Sequence, residues 1–288
     1  MLAITGATGQ LGLATIQALL GKVAPSEIVA VVRNPQKAAS LLPPGLPVRM
    51  ADYNDPAALV AAFQGVEKVV LVSSRELDTE VRMRQHQHVL DAAAQAGVRQ
   101  VLYTSVLNPS LTSTFQASPS HLLTEEALQA SGLGYTILRN TLYLDNLPAQ
   151  VGNTAVASGK VYAAAGDGRA SYGLRTEMGE ILANVLTSEG HENQVYDIAP
   201  GPAYSYGDIA TTLSEVTGQP ITYASLSPQE LAAGLRANQV PEVYANLRLG
   251  VDEAIKNGEF AAPTDTFERL LGRKPTDLKT YLTTVYGK

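Results

Sequence analysis

The chain has no cysteine. That single absence removes thiolate nucleophiles, disulfides, zinc–thiolate centres and iron–sulfur clusters together. It also lacks any excess of basic charge: 21 Lys and Arg against 27 Asp and Glu give a formal net charge of −6. A nucleic-acid binder needs a basic stripe to displace counterions from phosphates, so that class is excluded. No stretch approaches the roughly 20 apolar residues of a membrane helix, so no membrane partner is expected.

The four histidines show no ligand spacing. His86 and His88 stand two apart on a predicted helix and face different directions, while His121 and His191 have no spaced partners, so no metal is expected. The Gly-x-Ser-x-Gly elbow of hydrolases is missing. So is the Tyr-x-x-x-Lys pair, in which the Lys lowers the Tyr pKa so that the phenol serves as acid or base. One imitation, Tyr135 with Arg139, lies on a predicted strand, where positions four apart are about 13 Å from each other.

What is present is an alternation of short apolar runs with helix-length amphipathic stretches. Predicted strands are LAIT, IVAVVR (ending at Arg33), VRMADY, KVVLVSS, QVLYTS, YTILRN and QVYDIA. Between them the spacing predicts helices over Leu11–Leu20, from Asp55-Pro56 to Gly65, over Glu80–Ala96, Ser120–Ala130 and Glu177–Leu186. Such alternation implies an α/β class with a Rossmann-like, doubly wound parallel sheet. The region after Asn140 is Gly- and Ala-rich, and beyond about Gly201 it turns mainly helical. The expected division is therefore residues 1–140 with about 170–200 in the main unit. Residues 141–169 and 201–288 would form a smaller, mainly helical substrate domain. With the first strand starting at Leu2, the expected location is cytoplasmic.

The opening strand runs into GATGQLG and then a helix. Glycines at Gly6, Gly9 and Gly12 in that setting allow a tight turn, close approach of backbone to a pyrophosphate, and close packing of helix on strand. The loop Gly6, Ala7, Thr8, Gly9, Gln10 and Leu11 is thus a candidate dinucleotide cradle, against the alternative of a purely structural turn. An NAD-preferring site places Asp or Glu at the end of the second strand to accept the ribose 2′-hydroxyl, but this chain has Arg33. A guanidinium pairs with a 2′-phosphate instead, so NADPH is favoured. Asp52 and Tyr53, at the end of the third strand, are weaker candidates for adenine contacts. With no dedicated acid–base pair, the cofactor must carry the reactivity, and a quinone suits it because its oxygens take protons from solvent.

Taken together, GATGQLG, VVRNPQKA, ADYNDPAAL, LVSS, LYTS, TEEAL, LRNTLY and LLGRKPTDL resemble the NmrA-like branch of the atypical short-chain dehydrogenases. The similarity is greatest to its bacterial NAD(P)H:quinone oxidoreductases of the second type, relatives of triphenylmethane reductases. It implies NADPH as cofactor, with no flavin and no metal, and a small quinone or similar conjugated acceptor as substrate. It implies phosphate contacts from Gly6 to Leu11 and a 2′-phosphate contact from Arg33. Ser73, Ser74 and Arg75 would line the nicotinamide side, and Ile137, Leu138, Arg139, Asn140, Thr141 and Leu142 its floor. Tyr103, Thr104 and Ser105 stand where the Tyr-dependent branch keeps a catalytic Ser, and Tyr143, Asn146 and His86 are candidates for the pocket wall. Relatives often read His-x-x-Thr-Glu-Lys where this chain reads HLLTEEAL, with Glu126 in the Lys position. RELDTEVRMRQ, bordering the site, reads as a slightly long loop. Three functions remain open at this level: quinone reduction, reduction of a dye-like cation, and nucleotide sensing without turnover. A homodimer is a further expectation from the frequency of two-fold oligomers.

Overall fold

The computed structural model describes residues 1–287. Six strands alternate with five helices in its first half. They are β1 (Leu2–Ile4), α1 (Gln10–Leu19), β2 (Ile28–Val32), α2 (Pro35–Leu41), β3 (Val48–Met50), α3 (Pro56–Ala62), β4 (Lys68–Leu71), α4 (Thr79–Gln95), β5 (Gln100–Val106), α5 (Ser118–Ala130) and β6 (Gly134–Asn140). A later strand, Gln194–Ile198, joins them in one seven-stranded sheet of order Gln194–Ile198, β6, β5, β4, β1, β2, β3, with every pairing parallel.

Parallel strands covered on both faces need apolar residues throughout, and all residues of β2 and β5 are buried. Alternation splits them between two cores. Ile4, Val32, Val70, Leu102 and Leu138 pack against α1 and helix Arg175–Leu186 on one face. On the other face Val31, Val69, Val101, Tyr103 and Ile137 meet Leu59, Leu90 and Leu128 from α3, α4 and α5. A third apolar cluster spans residues 106–282, around a strand pair (Lys160–Ala163 beside Thr222–Ser225) and helices including Tyr206–Thr217 and Glu242–Lys256. Among the described residues no helix is long and apolar enough to cross a membrane.

Local chemistry sets the helix starts. Asp55 accepts the Ala58 amide at 3.0 Å and Pro56 opens α3, as its sequence predicts. Several strands stop short of expectation, among them β4, which ends at Leu71 rather than Ser74. β2 ends at Val32 because Asn34 leaves the sheet to cap α2, accepting the Lys37 amide at 2.9 Å. β3 ends at Met50, since Asp52 turns to accept the Asn54 amide at 2.8 Å. RELDTEVRMRQ is mostly helix rather than loop: Asp78 caps α4 by accepting the Val81 amide at 2.9 Å, so only the segment before Thr79 is irregular.

β1 bonds to both β2 and β4, so the chain's direction of travel across the sheet reverses there. In open α/β sheets such a reversal leaves a crevice beyond the carboxyl ends of the strands.

Candidate functional site

That crevice holds a cleft of about 270 Å³. Its wall draws Gly6, Thr8 and Gly9 from the loop after β1, Arg33 and Lys37 from the end of β2 and start of α2, Asp52 and Tyr53 from beyond β3, and Ser73 to Glu76 from beyond β4. Segments far apart in the chain thus meet at one place.

The glycine loop is built for close approach. Gly6 has φ +57°, in the left-handed region, and accepts the Gly9 amide through its carbonyl at 2.8 Å. A Cβ on Gly12 would stand 2.5 Å from that same carbonyl, so a side chain there would drive α1 off the loop. Gly9 is the N-cap of α1 and has no side chain with which to cap it. The first-turn amides therefore remain available to an anion, with the positive end of the helix dipole behind them. Ala7 and Leu11 are buried beneath the loop, so their contribution to a ligand would be backbone.

Beside the loop stands a cationic corner. The Arg33 side chain is 75 % exposed and its nearest carboxylate, Asp52, is 3.9 Å away, too open an arrangement to hold it. Lys37 joins Arg33 on the cleft wall. Sequence reasoning missed Lys37. Its signal was Asn34-Pro35, which starts a helix and sets Lys37 in the first turn. Tyr53 closes the floor: its hydroxyl lies 2.5 Å from Thr5 Oγ1 and donates to the Val72 carbonyl at 2.7 Å, joining the ends of three strands.

The far side of the cleft is made of buried polar groups. The Ser73 amide donates to Thr104 Oγ1 at 3.0 Å, and the Ser74 amide donates to His86 Nε2 at 3.0 Å. His86 Nδ1 then carries the proton and donates to Thr124 Oγ1 at 2.8 Å. Arg82, which the sequence did not single out, donates to Ser73 Oγ and, at 2.7 Å, to His121 Nε2. His121 Nδ1 in turn donates to the Tyr103 hydroxyl at 2.8 Å. Burial, with help from Arg82, pushes the His86 imidazole down to about 3 and holds His121 well below the ordinary histidine range. Burial also holds the Tyr53, Tyr103 and Tyr143 hydroxyls above the ordinary tyrosine range. These groups are neutral near pH 7.

The other predicted residues are distributed as follows. Ile137 and Leu138 lie in the two cores on opposite faces of the sheet, with no side-chain access to the cleft. Ser105 is turned into the protein, donating to Glu125 Oε1 at 2.6 Å, and Arg139 pairs with the same carboxylate at 2.7 Å. The Glu125 hydrogen bond raises the Arg139 pKa. Glu126 is exposed on α5 and takes no part in this cluster. Asn140 and Thr141 are buried at the end of β6, where Thr141 Oγ1 donates to the Ser171 carbonyl at 2.8 Å, and Leu142 packs on the third core. Tyr143 lies under the Arg175 guanidinium, 3.9 Å from ring centroid to Cζ, and Asn146 Oδ1 accepts from Arg175 at 2.9 Å. Arg75 lines the cleft with Ser73 and Ser74. His88 Nδ1 reaches the Tyr53 carbonyl at 2.8 Å, on a different face from His86. Among the described residues no group of three His, Asp or Glu could hold a metal ion.

With this geometry in view, similar proteins are informative. A family model described as NAD(P)H-binding matches residues 6–188. Quinone oxidoreductase 2 of Escherichia coli is 40 % identical over 278 residues, covering 96 % of each chain. The crystal structure of the Escherichia coli NADPH-dependent quinone oxidoreductase complexed with NADPH superposes with a TM-score of 0.94 at 38 % identity over the full length of both chains. The Citrobacter sp. triphenylmethane reductase complexed with NADP(H) superposes with a TM-score of 0.92 at 36 % identity, covering 99 % of each chain.

Proposed function

This chain belongs to the NAD(P)H-binding, NmrA-like family, and from that premise we propose that it reduces quinones with NADPH, by direct hydride transfer and without flavin. When bound, NADPH supplies a hydride, and the acceptor takes its remaining proton from water. The chain's own residues bind, orient and exclude solvent. The loop Gly6–Leu11 and the first turn of α1 hold the pyrophosphate, whose close approach a Gly9 side chain would obstruct. Arg33 and Lys37 hold the 2′-phosphate. Ser73, Ser74 and Arg75 face the nicotinamide half, and residues 141–169 and 201–288 shape the approach of the acceptor.

The observation that carries the reading is the closed hydrogen-bond network of the far side. His86, His121 and Tyr103 are buried, Tyr143 is half-buried, all are neutral near pH 7, and each imidazole proton is committed to a neighbour. Such a site offers position rather than a tuned acid, which suits an acceptor that needs none. The identities to the Escherichia coli quinone oxidoreductase and the Citrobacter triphenylmethane reductase support both a quinone and, as a second acceptor, a triphenylmethane dye.

The test follows NADPH absorbance with purified protein and 1,4-benzoquinone, menadione and a triphenylmethane dye. Oxidation with a quinone, a primary isotope effect from NADPH deuterated at C4, and no flavin absorbance are expected. Tight nucleotide binding with no turnover on any acceptor would overturn the enzyme reading in favour of a nucleotide sensor.

A further inference from the structure

Arg82 is a charge without a counter-charge. Its side chain leaves α4 and runs beneath the segment after β4, and the residue is 4 % exposed. Among the described residues no carboxylate lies within 4 Å of it. Its partners are all neutral: Ser73 Oγ, His121 Nε2 and, at 3.4 Å, the Glu76 carbonyl. Its Nε is buried and has no partner at all. Glu125, on the same helix as His121, is already engaged by Arg139 and Ser105. A buried cation so placed is costly, and the cost is retained in a wall of the functional cleft.

Arg82 touches Ser73, and Ser73 lines the cleft, so a single residue stands between the guanidinium and whatever lies there. The nicotinamide ring is neutral in NADPH and carries a positive charge in NADP⁺. We propose that Arg82 makes this site selective for the reduced cofactor, its fixed buried charge disfavouring the cationic ring, so that NADP⁺ is bound more weakly and leaves readily. This rests on the placement of the nicotinamide half against Ser73–Arg75 proposed above. At an effective dielectric of about 20, two unit charges about 10 Å apart shift an equilibrium constant by about tenfold or more. Arg33 and Lys37 do not supply this discrimination by direct contact, because the 2′-phosphate is common to both redox forms.

The test measures Kd for NADPH and NADP⁺ by titration calorimetry on wild type, Arg82→Met, Arg82→Lys and Arg33→Ala, with folding followed by thermal transition. Wild type is expected to favour NADPH by about tenfold or more. Arg82→Met should bring the ratio near one and Arg82→Lys should keep most of it. Arg33→Ala should weaken both nucleotides and leave the ratio unchanged. A folded Arg82→Met that keeps the wild-type ratio overturns the proposal. If that variant does not fold, the wild-type ratio at 0.05 and 0.5 M NaCl decides. A buried charge is poorly screened, so the ratio should persist while both affinities fall. Equal affinities in wild type, or a ratio that collapses with salt, overturn the proposal and leave the cofactor reading standing. Failure of either nucleotide to bind removes that reading as well.

Discussion

The two sides of the cleft solve recognition in opposite ways. Toward β2 and β3 the cations Arg33 and Lys37 sit at the surface beside a glycine loop, free to meet a ligand's charge with their own. Toward β4 and β5 the cation Arg82 is sealed in, and the histidines and tyrosine around it spend their hydrogen bonds inside the protein. The open side can lose a charge with little effect on folding. On the sealed side, removing one group strands another, so binding and stability are altered together.

The strongest way to break this contrast is the double substitution Arg33→Ala with Lys37→Ala. Two charge-assisted contacts to the 2′-phosphate should cost about 100- to 1000-fold in NADPH affinity, leaving NADH binding nearly unchanged. The melting temperature should move little, because the Arg33 side chain is mostly exposed. Equal losses for NADPH and NADH would place the 2′-phosphate elsewhere.

The next test addresses the sealed side through pH. His86 and His121 have folded-state pKa values depressed below the ordinary 6.5, so the unfolded chain binds protons there that the folded chain refuses. The His86 contribution is complete above pH 6.5 and is lost as pH falls toward about 3, and the His121 contribution is lost in the same direction. At pH 5.5 His86 should account for about 1.4 kcal/mol of lost stability, with a further loss of the same sign from His121. Urea midpoints at pH 7.5 and 5.5 check this, and His86→Gln should reduce the loss between the two pH values by about 1.4 kcal/mol. An unchanged pH dependence in the variant would show that His86 titrates normally.

Smallest is Asp52→Asn. The pair with Arg33 is long and solvent-exposed, so folding should be unaffected. Removing a negative charge beside the corner should strengthen NADPH binding by about twofold, read by the same titration. A weakened affinity would mean that Asp52 itself contacts the ligand.

The same contrast explains what could be read in advance. The open side is local in sequence: GATGQLG lies between its strand and helix, and Arg33 directly follows a run of buried β residues. The sealed side is assembled over distance. Arg82 sits in TEVRMRQ, a run that looks like an ordinary charged helix face, and only Ser73 and His121, nine and 39 residues away, reveal its burial. Ser105 misled for the same reason. A hydroxyl at a strand end looks available until Glu125, on the following helix, takes it. The side chains of Ile137 and Leu138 do not form one floor, because adjacent residues on a strand face opposite ways. The succession of strands along the chain and the start of α3 were legible because alternation, Asp-Pro and glycine punctuation are local signals.

α1 opens on Gly9, a residue that can offer its own helix nothing. A bound phosphate would then act as the missing terminus, accepting the amides that a Ser or Asp would otherwise have satisfied. The helix would be finished by its guest, and the length of ordered α1 would report occupancy of the cleft.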